Sequence, residues 1–327
     1  MNAPRIGILG ARRHRQGLGP FVARWLRAAG AEVPCFSCTS EETVAQAAAD
    51  LTRIAGVTAK GWTDGEAMLR EESLDAVAIL TPPRTHGMWL NRALEANLDV
   101  LCEKPFLWGT ETDLKTTIEL VDRFKEQGLL LMENTQWPAT LPYFDALHPG
   151  VREEPITRFA MRMAPASTGV DMIGDALSHP LSVLQALAPS EAVHIENCRF
   201  STHDSDATEL SIGFRYLAGG HPVDVMVELS TSPEQPREAS FAINGHWAHR
   251  LIRTTDYAFF FASGARLVDV PDPLGLHLAE FVEALRSERP HASDTKNTRI
   301  KQRMAALETV RHHYQTPPQR TATRTTP

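Results

Sequence analysis

The feature that most constrains this chain is the rhythm of its first 133 residues, where short, wholly apolar runs alternate with amphipathic stretches. Arg5-Ile6-Gly7-Ile8-Leu9 ends at Gly10, and Phe21, Val22, Trp25, Leu26 and Ala29 then recur at helical spacing up to Gly30. A second strand is expected over 33–37. Thr39-Ser40-Glu41-Glu42 then reads as a capping box, with Thr39 accepting and Glu42 reaching back, and opens an alanine-rich helix that ends at Gly56. A buried strand over 74–80 stops at Pro82-Pro83, and Thr85 can cap a helix running to about Asn97. A strand over 98–102, a helix over 112–127 and a strand over 129–132 follow. Strands with no polar face need cover on both sides, which implies a parallel, doubly wound α/β sheet between helical layers. Sheets of this kind bind ligands beyond the C-terminal ends of their strands.

Past about residue 150 the rhythm changes. Strand-like runs occupy 156–164, 193–200, 207–217 and 223–231, with turn signals at Asn244-Gly245 and Ser263-Gly264. One helix, over 175–188, interrupts them early, and two more, over 276–286 and 298–314, close the pattern. Runs of strands with segregated helices indicate an α+β lobe on an open, mostly antiparallel sheet. The expected division is a doubly wound lobe over 1–133, an α+β lobe over 134–314, and a Thr-, Pro- and Arg-rich tail over 315–327 without fixed structure.

Charge and cysteine usage narrow the function. Lys and Arg number 33 against 40 Asp and Glu, a net charge of −7, a mildly acidic body poorly suited to coating phosphate backbones or anionic lipid. No run approaches the roughly 20 apolar residues of a membrane span. The first strand begins at residue 5 and leaves no room for a secretory signal, so a cytoplasmic protein is expected, with neither nucleic acid nor membrane as partner. Cys35 and Cys38 form a C-x-x-C, but inside a strand pattern and without a second ligand pair, so neither a redox nor a metal site is expected.

Three places carry chemistry. The turn after the first strand, Gly10-Ala11-Arg12-Arg13-His14-Arg15-Gln16-Gly17-Leu18-Gly19, has glycines for close backbone approach and guanidinium forks for phosphate, though not G-x-G-x-x-G spacing. Glu103-Lys104-Pro105 ends a core strand on the edge where such sheets build sites. A partly desolvated lysine there would have a lowered pKa and could polarise or protonate an oxygen, and the proline could fix a cis bond. Asp175 and His179 stand four apart at a helix start, a spacing that puts carboxylate and imidazole on one face, where the acid can fix the tautomer of a general base.

Together, Ile79-Leu80-Thr81-Pro82-Pro83-Arg84-Thr85-His86, Glu103-Lys104-Pro105 and Asp175-x-x-x-His179 resemble the Gfo/Idh/MocA oxidoreductases over nearly the whole chain. The resemblance implies a Rossmann lobe, an open-sheet substrate lobe and a nicotinamide cofactor. It implies that Lys104 and His179 bracket the reacting carbinol or carbonyl, positioned by Asp175. By the same resemblance Glu103, Thr81, Pro82 and His86 line the dinucleotide; Gly10, Ala11, Arg12, Arg13 and Gly17 of the first turn, which is longer than the family's, are the candidates to hold its phosphates. Asn134 would contribute to the pocket. The chain departs from the family where Leu177 replaces a common glycine and Ser182 a common aspartate.

An NAD site wants an acid about 20 residues after the glycines, accepting from the ribose hydroxyl. Ser37 and Thr39 stand at the end of the second strand instead, with Arg12 or Arg13 nearby, which favours NADP, with NAD the alternative. The expected reaction is hydride transfer between nicotinamide and a secondary alcohol or ketone of a polar small molecule. A non-catalytic nucleotide-binding regulator or sensor is the competing function. Trp137 and Arg162 are candidates to reach the substrate, and alternation in the later strands suggests a homodimer or homotetramer through the open sheet.

Overall fold

The computed structural model describes residues 3–12, 17–110, 113–202, 207–232, 234, 236–254, 257–287 and 293–316. Arg13 of the phosphate turn and residues 317–327 of the tail lie outside the described residues.

The first lobe runs β1 (Ile6–Leu9), α1 (Gly19–Ala28), β2 (Cys35–Ser37), α2 (Glu41–Asp50), β3 (Lys60–Trp62), α3 (Gly65–Glu71), β4 (Ala76–Ile79), α4 (His86–Glu95), β5 (Asp99–Cys102), α5 (Asp113–Glu126) and β6 (Leu131–Glu133). The six strands are parallel in the order β3-β2-β1-β4-β5-β6, with the topological switch between β1 and β4. Every residue of β1, β2, β4, β5 and β6 is buried, which is why β1 and β4 are wholly apolar, and the buried acids Asp99 of β5 and Glu133 of β6 accept from the Leu130 and Phe106 amides. β3, a three-residue, largely exposed edge strand, carries no such signature and was not anticipated from the sequence, nor was α3.

The capping box of α2 differs from the expected one. Ser40 is the N-cap: its hydroxyl accepts from the Thr43 amide at 3.3 Å and Thr43 Oγ1 accepts from the Ser40 amide at 3.0 Å. Thr39 is thus left outside the helix, and Glu42 accepts from Gln46 instead of reaching back. Thr85 likewise precedes α4 without capping it, its hydroxyl donating to the Pro82 carbonyl at 2.8 Å.

The second lobe contains α6 (Leu141–Leu147), β7 (Arg158–Met163), α7 (Asp171–Ala176), α8 (Ser178–Leu187), β8 (Val193–Thr202), β9 (Glu209–Ala218), β10 (His221–Ser230), β11 (Ala239–Ile243), β12 (His246–Arg253), β13 (Ala258–Ser263), β14 (Arg266–Val270), α9 (Pro273–Arg286) and α10 (Ser293–Gln315). The eight strands lie in the order β14-β13-β12-β11-β7-β10-β9-β8, antiparallel except for β7 beside β10. Asn244 and Gly245 both take positive φ, 51° and 88°, the backbone that a two-residue hairpin between β11 and β12 requires. The expected helix over 175–188 is two: α7 ends and α8 begins across Leu177, a buried side chain in the common core.

The two lobes are tied together by the last helices. α9 returns to the first lobe, where Leu278, Phe281 and Val282 join the core of Val22, Ala23 and Leu26 from α1. α10 lies along α5, with Lys125 paired to Asp294 at 3.0 Å and Lys301 paired to Asp122. No helix among the described residues is long and apolar enough to cross a membrane.

Candidate active site between the lobes

At the switch point the turns after β1 and β4 meet backbone to backbone. A Cβ on Gly10, whose φ is +82°, would lie 3.0 Å from the Leu80 carbonyl group, and one on Gly19 would lie 2.1 Å from the Ala11 carbonyl oxygen. Only glycine fits either place, so strand and helix approach as closely as a dinucleotide's pyrophosphate needs. The Gly10 and Ala11 amides both point to the Ser37 carbonyl, at 3.0 and 3.4 Å, so they join β1 to β2. Arg12 reaches toward α2, its guanidinium 3.5 Å from Gln46 Oε1, while Thr39 stays exposed and Ser37 is buried. Gly17 lies partly exposed just before α1, and the residues between it and Arg12 are outside the described residues.

Beyond β5 the peptide bond Lys104–Pro105 is cis. The Lys104 ammonium crosses to the second lobe, donating to the Asp175 carbonyl at 2.5 Å and to Asp175 Oδ1 at 3.0 Å. The remaining carboxylate oxygen, Oδ2, accepts from the Ala166 amide at 2.8 Å and from the Ser167 hydroxyl at 3.2 Å. Asp175 therefore holds Lys104 and not the imidazole, because the break at Leu177 and the cation across the cleft claim its oxygens. Gly174 sets the depth of this contact. A Cβ there would lie 2.5 Å from the Trp108 ring, whose indole N–H donates to Asp171 Oδ1 at 2.9 Å, so α7 seats directly on the loop after Pro105.

The electrostatics follow from burial in the cleft. Burial pulls the Lys104 ammonium down, but Asp175 and Glu103 outweigh it and hold its pKa above the ordinary value, contrary to the lowering expected from desolvation alone. Burial would raise Asp175, yet Lys104 keeps the carboxyl well below its usual range. His179 is held far below its ordinary value by burial first and by the Lys104 ammonium second, so its ring is neutral. Its Nδ1 is buried with no partner. Burial pushes Glu103 up to about 7, and its carboxylate accepts from the Asn134 amide group, whose own Oδ1 is buried and unpartnered.

Two expected site residues lie elsewhere. His86 has no exposed surface: its Nε2 is 2.7 Å from the Thr81 carbonyl oxygen and its Nδ1 3.1 and 3.2 Å from those of Pro105 and Phe106. It fastens the β4 turn to the β5 turn beneath the dinucleotide edge and does not line it. Thr81 and Pro82 remain partly or fully exposed on that edge. Arg162 points away from the cleft, since alternation along β7 puts Phe159 and Met161 inward and Arg162 on the outer face, 2.5 Å from Glu228 and stacked on Trp247. Trp137 is buried at the cleft floor, its ring 6.4 Å from that of His179 and 6.1 Å from that of Phe241.

A family profile described as "Oxidoreductase family, NAD-binding Rossmann fold", GFO_IDH_MocA, matches residues 5–135. The first lobe thus matches the NAD-binding Rossmann domain of the Gfo/Idh/MocA oxidoreductases. Among curated relatives, D-xylose 1-dehydrogenase (NADP(+)) 2 of Haloferax volcanii is 31% identical over 106 residues, 31% of each chain. Inositol 2-dehydrogenase 1 of Mycolicibacterium vanbaalenii is 28% identical over 178 residues, 50% of each. The matched segments thus span 31% and 50% of those proteins. Among solved structures, UDP-N-acetylglucosamine 3-dehydrogenase of Acidithiobacillus ferrooxidans is 22% identical with a TM-score of 0.65, covering 95% of this chain and 98% of its own. A 3-ketoreductase of Actinomadura kijaniata, in complex with NADP and TDP-benzene, is 22% identical with a TM-score of 0.67, covering 94% and 98%. These structures share the two-lobe fold along nearly the whole chain.

Several residues of the cleft left no mark in the sequence. Glu133 and Arg303 form a buried ion pair under it, and Arg237 and Arg250 stand on its second-lobe side. Their places are set by packing between distant segments, which spacing does not reveal.

Proposed function

We infer that this chain is an NAD(P)-dependent oxidoreductase that transfers a hydride between nicotinamide and a secondary alcohol or ketone of a polar small molecule. The observation that carries this reading is the contact of Lys104 from one lobe with Asp175 from the other, beside the neutral His179, at the C-terminal edge of the parallel sheet. The glycine-lined turn at Gly10 and Gly19 accommodates a dinucleotide, with Glu103, Thr81 and Pro82 on its edge and Asn134 toward the pocket. When bound, the nicotinamide supplies or accepts the hydride. In the oxidative direction His179 takes the hydroxyl proton, since a neutral imidazole has a free lone pair for it. Lys104, held charged and in place by Asp175, stabilises the alkoxide that develops. Trp137 orients the imidazole by packing against its ring and excludes water from beneath it.

NADP is the preferred form. No acid stands at the end of β2, and the exposed Thr39 with the Arg12 guanidinium beside α2 offers a hydroxyl and a cation to a 2′-phosphate. Oxidation of NADPH and NADH over a panel of sugars, inositols and keto compounds tests both statements. Turnover with a lower KM for NADPH is expected; binding without turnover on any member would support a sensor instead, and a strong NADH preference would overturn the cofactor assignment.

The reading includes a homodimer or homotetramer. Registration places Met226, Trp247, Leu251, Phe260 and Leu267 on the sheet face opposite the helices, and Met226, Leu251 and Leu267 are 45%, 49% and 58% exposed. Light scattering is expected to give a mass of two or four chains, and a monomer would end this part of the reading. The four cysteines are free, three of them buried, which suits the reducing cytoplasm.

A further inference from the structure

We propose that the substrate carries an oxyanion, a carboxylate or a phosphate, and that Arg250 and Arg237 bind it next to the reacting carbon. This rests on the oxidoreductase reading and names the substrate class of the same cleft.

β12 pairs with β11 and β13 so that Ala248 faces Phe241 and Arg250 faces Phe261, both phenylalanines being buried. Arg250 therefore stands on the inner face of the sheet, a position that otherwise holds core side chains. Its guanidinium carbon is 5.7 Å from the centre of the Trp137 ring, and Trp137 in turn meets His179. One Nη donates to the Arg237 carbonyl at 2.5 Å, which draws the β10–β11 connection over the same place. The Nε atoms of Arg250 and Arg237 are both buried without a hydrogen-bond partner. Among the described residues neither guanidinium has a carboxylate within 4.0 Å. The nearest acid felt by Arg250 is Asp272, whose oxygens already accept from the Trp25 indole and the Leu274 amide. The field of Arg250 reaches His179 and that of Asp175 reaches Arg237, so the pair borders the catalytic groups.

Buried polar groups in folded proteins are hydrogen-bonded, and these two Nε–H groups are not. Two guanidiniums with unpartnered Nε–H groups and no carboxylate within 4.0 Å among the described residues present donor forks that match an oxyanion in two-point contact. Carboxylate and phosphate satisfy the forks equally, so the oxyanion is the shared chemistry.

The test is calorimetric titration of the NADP-loaded protein with malonate and with inorganic phosphate, at constant ionic strength set by chloride. Saturable binding of at least one anion is expected, weakened about 10- to 100-fold in Arg250→Met and partly restored in Arg250→Lys. Tighter malonate binding points to a sugar-acid substrate and tighter phosphate binding to a phosphorylated one; either supports the proposal. Binding of neither anion, or equal binding by wild type and Arg250→Met, overturns it. In turnover assays the same variant is expected to raise KM for anionic substrates with a much smaller change in kcat. Turnover of neutral polyols only, unaffected by Arg250→Met, would sink the anion site and leave the oxidoreductase standing. Anion binding without nicotinamide turnover on any substrate would do the reverse.

Discussion

Replacing Lys104 with alanine is expected to lower kcat about 10²–10⁴-fold while cofactor affinity changes little, because a positioned group that handles developing charge contributes on that order. The ammonium is held at the cleft by two contacts to Asp175, so its loss removes charge from where the alkoxide forms and strips Asp175 of its cation. The pH profile adds a second readout. In its proposed oxidative role His179 acts in its neutral form, so kcat/KM is expected to persist above its pKa and to be lost as pH falls through it. Burial and the Lys104 ammonium depress that pKa well below the ordinary 6.5, which places the acid limb of the wild type far below neutrality. Removing Lys104 deletes the second cause and leaves the first, so the limb should move upward. Near-normal turnover in Lys104→Ala, measured by nicotinamide absorbance, would remove this residue from the mechanism.

The largest stability effect is expected under the site, at Arg303. Its Nε lies 2.7 Å from Glu133 Oε2, with the two side chains 6% and 0% exposed, and its Nη1 donates to Gln185 Oε1 at 2.6 Å. Glu133 also accepts from the Phe106 amide at 3.1 Å, just past Pro105. One guanidinium from α10 thus ties the end of β6, the Lys104 loop and α8 together. Arg303→Met should cost about 3–5 kcal/mol, since it leaves a buried carboxylate without its cation. The urea midpoint should fall with little change in slope. Adding Glu133→Leu should recover much of the loss, because an apolar pair can replace a buried ion pair at small cost. A single variant within about 1 kcal/mol of wild type would show the pair to be no stronger than a surface contact.

How far the sequence was legible depended on what each signal encodes. Wholly apolar strands announce burial on both faces, so β1, β4 and β5 were readable and the parallel sheet with them. β3 was not, because an exposed three-residue edge strand needs no apolar pattern. The strict alternation of β10, inward at Val223, Val225, Val227 and Leu229, announced an open sheet with one covered face. Lys104, Asp175 and His179 stood out as residue types at meaningful places in the pattern.

By itself, then, the sequence determined two lobes, their sheet types, and the chemical groups that meet at the edge of the parallel sheet. Only the tertiary structure decided which group touches which. Helical spacing pairs Asp175 with His179, but the helix breaks at Leu177 and the carboxylate turns to a cation 71 residues away in the chain. His86 proved a buried tie between turns, and Arg162 fell on the outer face while Arg250 fell on the inner one. The physical reason is common to all of them. Periodicity records how a segment divides between water and core, whereas the partner of a buried charge is set by strand register and lobe packing, which bring together residues that no local pattern links.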